Sequence, residues 1–404
     1  MTDDRRGPRP HRPAGRPALD LWGTVTPAAR PVVRELLVNG PGTRTDLART
    51  LGLSGGSLTR LTKPLVEAGL VAERSVVHDP DNGRPTRPLD IAGDGHRFLG
   101  VKLTADHLYA VVTDLRATVL AERAEPLAGR TPEAVCAQAR RLLDEMGPDG
   151  PPEAAGVSLG GHPRPAGGAG PDGTAEQLCD APFLGWRDVP LARLFRRTTG
   201  LPTVVDNDVA ALAHAQHWFG AARGHRDFAL VTVGAGIGYA LFLDGRMRPL
   251  SALDLNGFSH HVLDPGGPLC PDGHRGCLAA HLSTQSLLAA AAQGLRRRVT
   301  LREVTELAVA GDPICRSVAG SAAWALGAVA GTIANLTGVR TVIAAGEGVE
   351  LVGAARAALA DGIRQRRHRD HHTLEVSLGP DSFTEWARGA AVTAIRAFVV
   401  RDPA

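Results

Sequence analysis

Asn207 and Asp208 follow Thr203-Val204-Val205, which reads as a strand, and precede Val209 to Trp218, which reads as a helix. A carboxylate beside a strand end can take a proton from a hydroxyl or simply bond it. It can equally cap the helix that follows. Further on, Thr232-Val233-Gly234-Ala235-Gly236-Ile237-Gly238 lies between two apolar runs, Ala229 to Val233 and Ile237 to Leu243. Glycines at such a place let backbone N–H groups approach an anion, and a tight hairpin accounts for them equally well. A different chemistry belongs to the N-terminal part. Ser57, Thr59 and Arg60 face outward if Leu58, Leu61 and Leu65 face a core. In that arrangement they can bond base edges or phosphates.

These side chains need elements to hold them. Residues 1 to about 27 read as a disordered basic tail, with Arg5, Arg6, Arg9, Arg12 and Arg16. Three short helical patterns follow. The first holds Val32, Val33, Leu36 and Leu37; the second starts from Thr43 or Thr45 and closes at Gly52; the third starts at Ser54 and closes at Gly69. The second and third have helix-turn-helix spacing, in which one helix braces another whose first turns enter the major groove. Gly55-Gly56 weaken the first turn of that reading helix, and Pro64 predicts a kink or an end near Thr62. Leu70 to Glu73 and Arg87 to Ile91 read as two strands of a wing, with Arg84 and Arg87 near its tip. The same segment could be a small helical bundle that binds protein; the wing and the basic tail favour DNA.

A second unit starts near Phe98. Phe98 to Leu103, Leu108 to Leu115 and Val119 to Glu122 read as a three-strand meander, and Thr131-Pro132-Glu133 opens a helix reaching about Met146. Ala155, Val157 and Leu159 alternate as in a strand, a Gly/Pro-rich stretch runs to Gly173, and Val189 to Arg197 reads as a helix. The C-terminal third reads as mainly helical with one strand, Thr341 to Ala345. Alternating strands and helices predict a two-lobed α/β sensor, and no internal repeat is visible.

Bulk properties narrow the function classes. A chain of 404 residues suggests two or three domains, and 43% hydrophobic with 22% charged residues is a soluble globular composition. Lys63 and Lys102 are the only lysines, and a net charge of +3 is too small to argue for nucleic acid by itself, so any DNA surface is a local patch. No apolar run reads as a membrane span and no secretory leader is visible, which predicts a cytoplasmic protein. Five cysteines are an odd count and fit a reducing compartment, with Cys136, Cys179 and Cys315 as buried apolar fillers.

Thr45 to Pro88, with Asp46-Leu47-Ala48, Gly52-Leu53-Ser54, Leu65-Val66-Glu67-Ala68-Gly69-Leu70-Val71 and Gly83-Arg84-Pro85, resembles the winged-helix end of ROK-family regulators (repressors, open reading frames and kinases) of the xylose-repressor type. Phe183 to Leu191 and Val205 to Leu212 resemble the ROK sugar site. The resemblance implies that Asp208 stands where the kinases keep their catalytic base and that Asn207 would bond sugar hydroxyls. It makes Gly234-Ala235-Gly236 the second phosphate loop. The first loop, an Asp-x-Gly-Gly-Thr type run, is replaced by Lys102-Leu103-Thr104-Ala105-Asp106. Two sugar-contacting glutamates fall at Gly257 and Ala279. The run from His260 to Cys277 is similar to the family's zinc motif, implying His260, Cys270, Asp272 and Cys277 as ligands, with Asp272 in place of a cysteine and His261 and His274 as nearby substitutes. Ile343 to Gly348 and Ala387 to Ala391 match the family's late strand and final helix.

The expected architecture is α/β: an N-terminal winged helix-turn-helix followed by a two-lobed, actin-like (ribonuclease H-like) ROK sugar-kinase domain. Its units are the tail 1–27, the reader 28–92 with contacts from Thr45, Ser57, Thr59, Arg60, Arg84 and Arg87, and the sensor 97–404 with a second lobe at roughly 220–384. The expected function is transcriptional regulation, probed as a repressor. The expected partners are a double-stranded DNA operator with an inverted repeat, bound by a homodimer or homotetramer, and a small-molecule effector at Asn207, Asp208 and His260. Zinc is the expected cofactor, ATP is not, and Asp208 is a vestigial base. The alternatives are a working ATP-dependent sugar kinase with an accessory DNA-binding domain, and a regulator blind to any ligand.

Overall fold

The structure, a computed structural model, describes residues 23–78, 85–147, 150–169, 175–249, 257–368, 373–379 and 381–401. The basic tail up to residue 22 and Arg84 lie outside them. The reader contains the helices α1 (Arg30–Asn39), α2 (Arg44–Leu51) and α3 (Gly55–Glu67). The hydroxyl of Thr43 caps α2, Gly52 closes it in the left-handed region at φ 64°, and the hydroxyl of Ser54 caps α3. Pro64 does not end α3, which continues to Glu67. Its missing N–H costs about 3 kcal/mol. The next residue, Leu65, is fully buried, and burying such a side chain returns roughly 1.5–3 kcal/mol. The chain then forms β1 (Val71–Glu73), β2 (Val77–His78), β3 (Pro85–Thr86) and β4 (Leu89–Ile91), with β1 antiparallel to β4 and β2 to β3. This is a winged helix-turn-helix.

In the first lobe, β5 (Phe98–Leu103), β6 (His107–Thr113) and β7 (Val119–Pro126) form the expected meander. After α4 (Pro132–Met146), β8 (Ala154–Leu159) runs parallel to β5. The stretch expected to be irregular folds instead as β9 (His162–Ala169), β10 (Ala175–Ala181) and β11 (Trp186–Val189), an antiparallel sheet of its own. Pro163 and Pro165 hid β9 from the sequence; it is an edge strand, where a missing ladder donor is tolerated. Then come α5 (Leu191–Thr199), β12 (Thr203–Asn207), parallel to β8, and α6 (Asp208–Phe219).

The second lobe contains β13 (Phe228–Thr232), β14 (Tyr239–Leu243) and β15 (Arg246–Met247). Beyond the His260–Cys277 run come α7 (Leu278–Leu282), α8 (Thr284–Leu295), α9 (Leu301–Ala310) and α10 (Pro313–Thr337). Next are β16 (Thr341–Ala345), α11 (Val349–Gly353), α12 (Arg356–Arg366) and an unexpected strand, β17 (Glu375–Leu378). The strand orders are β7-β6-β5-β8-β12 in the first lobe and β15-β14-β13-β16-β17 in the second. In both, a meander is followed by two parallel strands, so the lobes repeat one topology that the sequence does not display. This is the two-lobed actin-like architecture. At 25 residues α10 is long and apolar enough to cross a membrane, contrary to the sequence expectation, yet Ala322, Leu326 and Val329 are buried in the lobe's core.

The chain returns to the first lobe through α13 (Phe383–Ala394), which continues as a π-helical turn, Ile395–Val400. A Cβ on Gly100 of β5 would collide with the carbonyl of Ala387, and one on Gly156 of β8 with that of Ala390. These two glycines let α13 lie directly on the strands. The reader has no separate core. Val32, Leu36 and Leu89 belong to one cluster with Phe98, Trp218 and Val399. Asp90, buried at 3% exposure, accepts hydrogen bonds from Arg74 of the wing and from Arg116 beside β6.

Candidate ligand cleft, metal knuckle and DNA-reading face

At the end of β12 it is Asn207, not an aspartate, that caps α6. Its Oδ1 accepts from the N–H groups of Val209 at 3.0 Å and Ala210 at 3.2 Å, while its Nδ2 donates to the Gly161 carbonyl at 3.1 Å. Asp208, in the first helical turn, is therefore free to turn outward. What it meets is Lys102. The ammonium, 4% exposed on β5, donates to Asp208 Oδ2 and lies 5.0 Å from the centroid of the Trp386 ring. The cation that replaces the first phosphate loop's acid thus neutralises the carboxylate at the base position.

The second phosphate loop is also engaged from within the chain. Glu347 Oε1 accepts the Ala235 N–H at 2.7 Å and the Thr284 hydroxyl at 3.0 Å. Its other oxygen crowds Gly234 so closely that a Cβ there would overlap it. The carboxylate thus holds one amide of this glycine loop, and a phosphate brought to the same N–H would meet a like charge. Glu347 was within a recognised run, but nothing in the sequence pairs it with Ala235 across 112 positions.

His260 leaves the cleft for the knuckle. Its Nδ1 lies 3.8 Å from Cys270 Sγ and 3.7 Å from Cys277 Sγ, and its Nε2 lies 3.4 Å from Asp272. His274 Nδ1 is 3.6 Å from Cys270 Sγ. Among the described residues His260, Cys270 and His274 bring their donor atoms within 4.8 Å of one another, a group that could hold a metal ion. Cys277 touches this group through His260, and Asp272 sits on the far nitrogen of His260. Metal bonds of about 2.3 Å to sulfur and about 2.0 Å to nitrogen at tetrahedral angles give sulfur–nitrogen separations near 3.5 Å, so these pairs are spaced as zinc requires. Gly276, at φ 62°, makes the turn possible; a Cβ there would strike the Asp264 carbonyl. Burial raises the Cys277 thiol above its ordinary range, and the neighbouring Cys270 adds to this. Cys136, Cys179 and Cys315 are buried and unpaired, as expected, and burial pushes the first two up to about 12.

On the reader, Thr45, Thr59 and Arg60 are exposed and Ser57 is half-buried. Ser57 Oγ accepts from Ser54 Oγ at 2.9 Å, and the Thr59 hydroxyl donates to the Gly55 carbonyl at 2.9 Å. Arg60 has no hydrogen-bond partner among the described residues, so its five donors remain available. Arg87 is only partly free, at 3.7 Å from Glu73, which Arg44 also holds at 2.8 Å. The Arg44 hydrogen bond, with the charges of Arg44 and Arg87, lowers the Glu73 pKa.

Comparison with known proteins agrees with this architecture. The ROK family profile matches residues 98–391. The DNA-binding transcriptional repressor Mlc of Escherichia coli (strain K12) is 22% identical over 337 residues, 81% of this chain and 82% of that one. The xylose repressor of Bacillus subtilis (strain 168) is 22% identical over 289 residues, 70% and 72%. A glucokinase of Streptomyces coelicolor is 33% identical, but over 132 residues, 33% of this chain and 41% of that one. Among solved structures, a ROK family transcriptional regulator homologous to the E. coli protein superposes with a TM-score of 0.73 at 23% identity, covering 94% of this chain and 98% of that chain. The chain belongs to the ROK family.

Proposed function

We propose that this protein is a sequence-specific DNA-binding transcriptional regulator of the repressor type whose kinase-like domain has become a sensor. The observation that carries this is the Lys102–Asp208 ion pair in a cleft joined to a winged helix-turn-helix. Phosphoryl transfer is mostly positioning and charge stabilisation around phosphate oxygens. Here the base position is tied to an ammonium and the phosphate loop to Glu347. Both long-coverage relatives are named as repressors, while the glucokinase match is short.

The reader spans residues 28–92 and the sensor 97–404, with Thr45, Ser57, Thr59, Arg60 and Arg87 as DNA contacts; Arg84, outside the described residues, is proposed with them from the sequence. A single short reader gives little contact, so a homodimer or homotetramer on an inverted repeat is the expected assembly, in the cytoplasm. A small effector binds at Asn207 and Asp208, with His260 as the third expected contact. Zinc would be held by His260, Cys270 and His274, with Cys277 completing the set, as a structural cross-link.

Incubation with ATP and common hexoses or N-acetylhexosamines tests the loss of chemistry. No phosphorylation above that of Asp208→Ala is expected; turnover that disappears in that variant would establish the kinase reading instead.

A further inference from the structure

A cavity of about 510 Å³ lies where the reader meets the sensor; Asn207 forms part of its wall, whereas Lys102 and Asp208 do not line it. Arg34 of α1, Arg246 and Arg248 after β14, and Arg396 of the π-helical turn line it, with Asp206 as the only acidic lining residue among the described residues. His214 also lines it at 5% exposure, and its Nδ1 has no hydrogen-bond partner. Arg34 and Arg396 approach the same ring, each 6.0 Å from Trp218. Asp206 already faces Arg396, so one carboxylate stands among four lining guanidinium groups and the wall keeps an excess of positive charge that an anion would balance. Burial first, then the charges of Arg396, His217 and Arg34, drive the proton off His214, which is what a concentrated positive field does. Trp218, Tyr239 and Phe242 give the cavity an apolar wall. The volume suits a small organic molecule rather than a bare ion.

We propose that this cavity is a binding site for a small phosphate monoester, gripped by Arg34, Arg246 and Arg396, and that its occupancy fixes the reader helix α1 against the sensor. Guanidinium forks match phosphate oxygens, and partial burial strengthens such charge-assisted bonds. Arg34 stands on the reader while Arg246 and Arg396 stand on the sensor, so a ligand touching all three couples the two. Only the DNA readout below rests on the proposed regulatory function; direct binding does not.

Titration calorimetry on the full chain uses inorganic phosphate and glucose 6-phosphate as probes, with glucose as the control. Saturable binding of glucose 6-phosphate, weaker binding of phosphate and none of glucose are expected. Arg34→Gln and the exposed Arg246→Gln should each weaken glucose 6-phosphate about tenfold, the loss of one charge-assisted bond. Arg302→Gln, on the outer face of α9, should leave it unchanged. No saturable heat from either phosphate probe at millimolar concentration overturns the site, as does binding undiminished in both cavity variants. Saturating glucose 6-phosphate should also change DNA affinity in the unaltered protein and not in Arg34→Gln. An unchanged DNA affinity with binding intact overturns the coupling. Failure to bind any DNA sequence would strike the regulatory reading and leave the calorimetric result standing.

Discussion

Asp206, half-buried beside the cavity, shows how a single group records its surroundings. Burial raises its pKa to about 6, and Asp208 adds to this, while Arg396, the Asn207 N–H and the Thr393 hydroxyl oppose it. Unfolded, it would titrate near 3.9. Between those values the folded state keeps a proton that the unfolded state releases, so stability falls as pH rises, by up to about 3 kcal/mol above pH 6. His214 acts oppositely: it resists protonation when folded, so its contribution is lost as pH falls below about 6.5. Urea unfolding of the protein and of Asp206→Asn isolates the first effect. The variant should gain relative stability between about pH 4 and pH 7; a constant difference would contradict the raised pKa. On the reader, Arg60→Ala should weaken specific DNA binding by roughly 1–3 kcal/mol if its fork reads a base. An equal loss on all sequences would make it a phosphate contact instead.

Elements fail or succeed through their neighbours, which is why they differ in legibility. The caps at Thr43 and Ser54 and the meander of β5 to β7 were readable because their signals are local. β9 to β11 were not, since prolines on an edge strand look like loop, and β17 lacks a long apolar run. The spacing of the His260–Cys277 run pointed to a group that could hold a metal; that His274 joins His260 and Cys270 while Asp272 sits on the far nitrogen of His260 depends on which way the loop turns. Asn207 and Asp208 were found, but Lys102 appeared only as a missing acid, because its partner lies 106 positions away. Zinc analysis of untagged protein checks the knuckle. His274→Ala and Cys270→Ser/Cys277→Ser should lose the metal, while Asp272→Ala should keep it with about 10–100-fold weaker affinity. Metal loss from Asp272→Ala alone would restore the carboxylate as a ligand. Gly156→Ala should cost at least about 1–3 kcal/mol in denaturant unfolding, because the obstacle is α13 backbone rather than a movable side chain. A neutral result would mean α13 can lift from β8.

Across the whole molecule, the reader shares its core with the first lobe and with the π-helical turn at the end of α13. Hydrogen exchange should therefore protect α1 to a degree comparable with β5; earlier exchange throughout α1 would mean that the reader opens by itself. That continuity makes regulation physically reasonable, because any change in lobe packing reaches the helices that face DNA. On the function proposed above, the cleft in which Lys102 pairs with Asp208 and Glu347 holds the Ala235 N–H would serve for sensing rather than transfer. Selection of DNA from a random duplex pool by the full-length protein tests this most directly. The account predicts enrichment of one inverted repeat, with affinity that falls steeply with salt. A pool that remains unenriched after repeated rounds would contradict it.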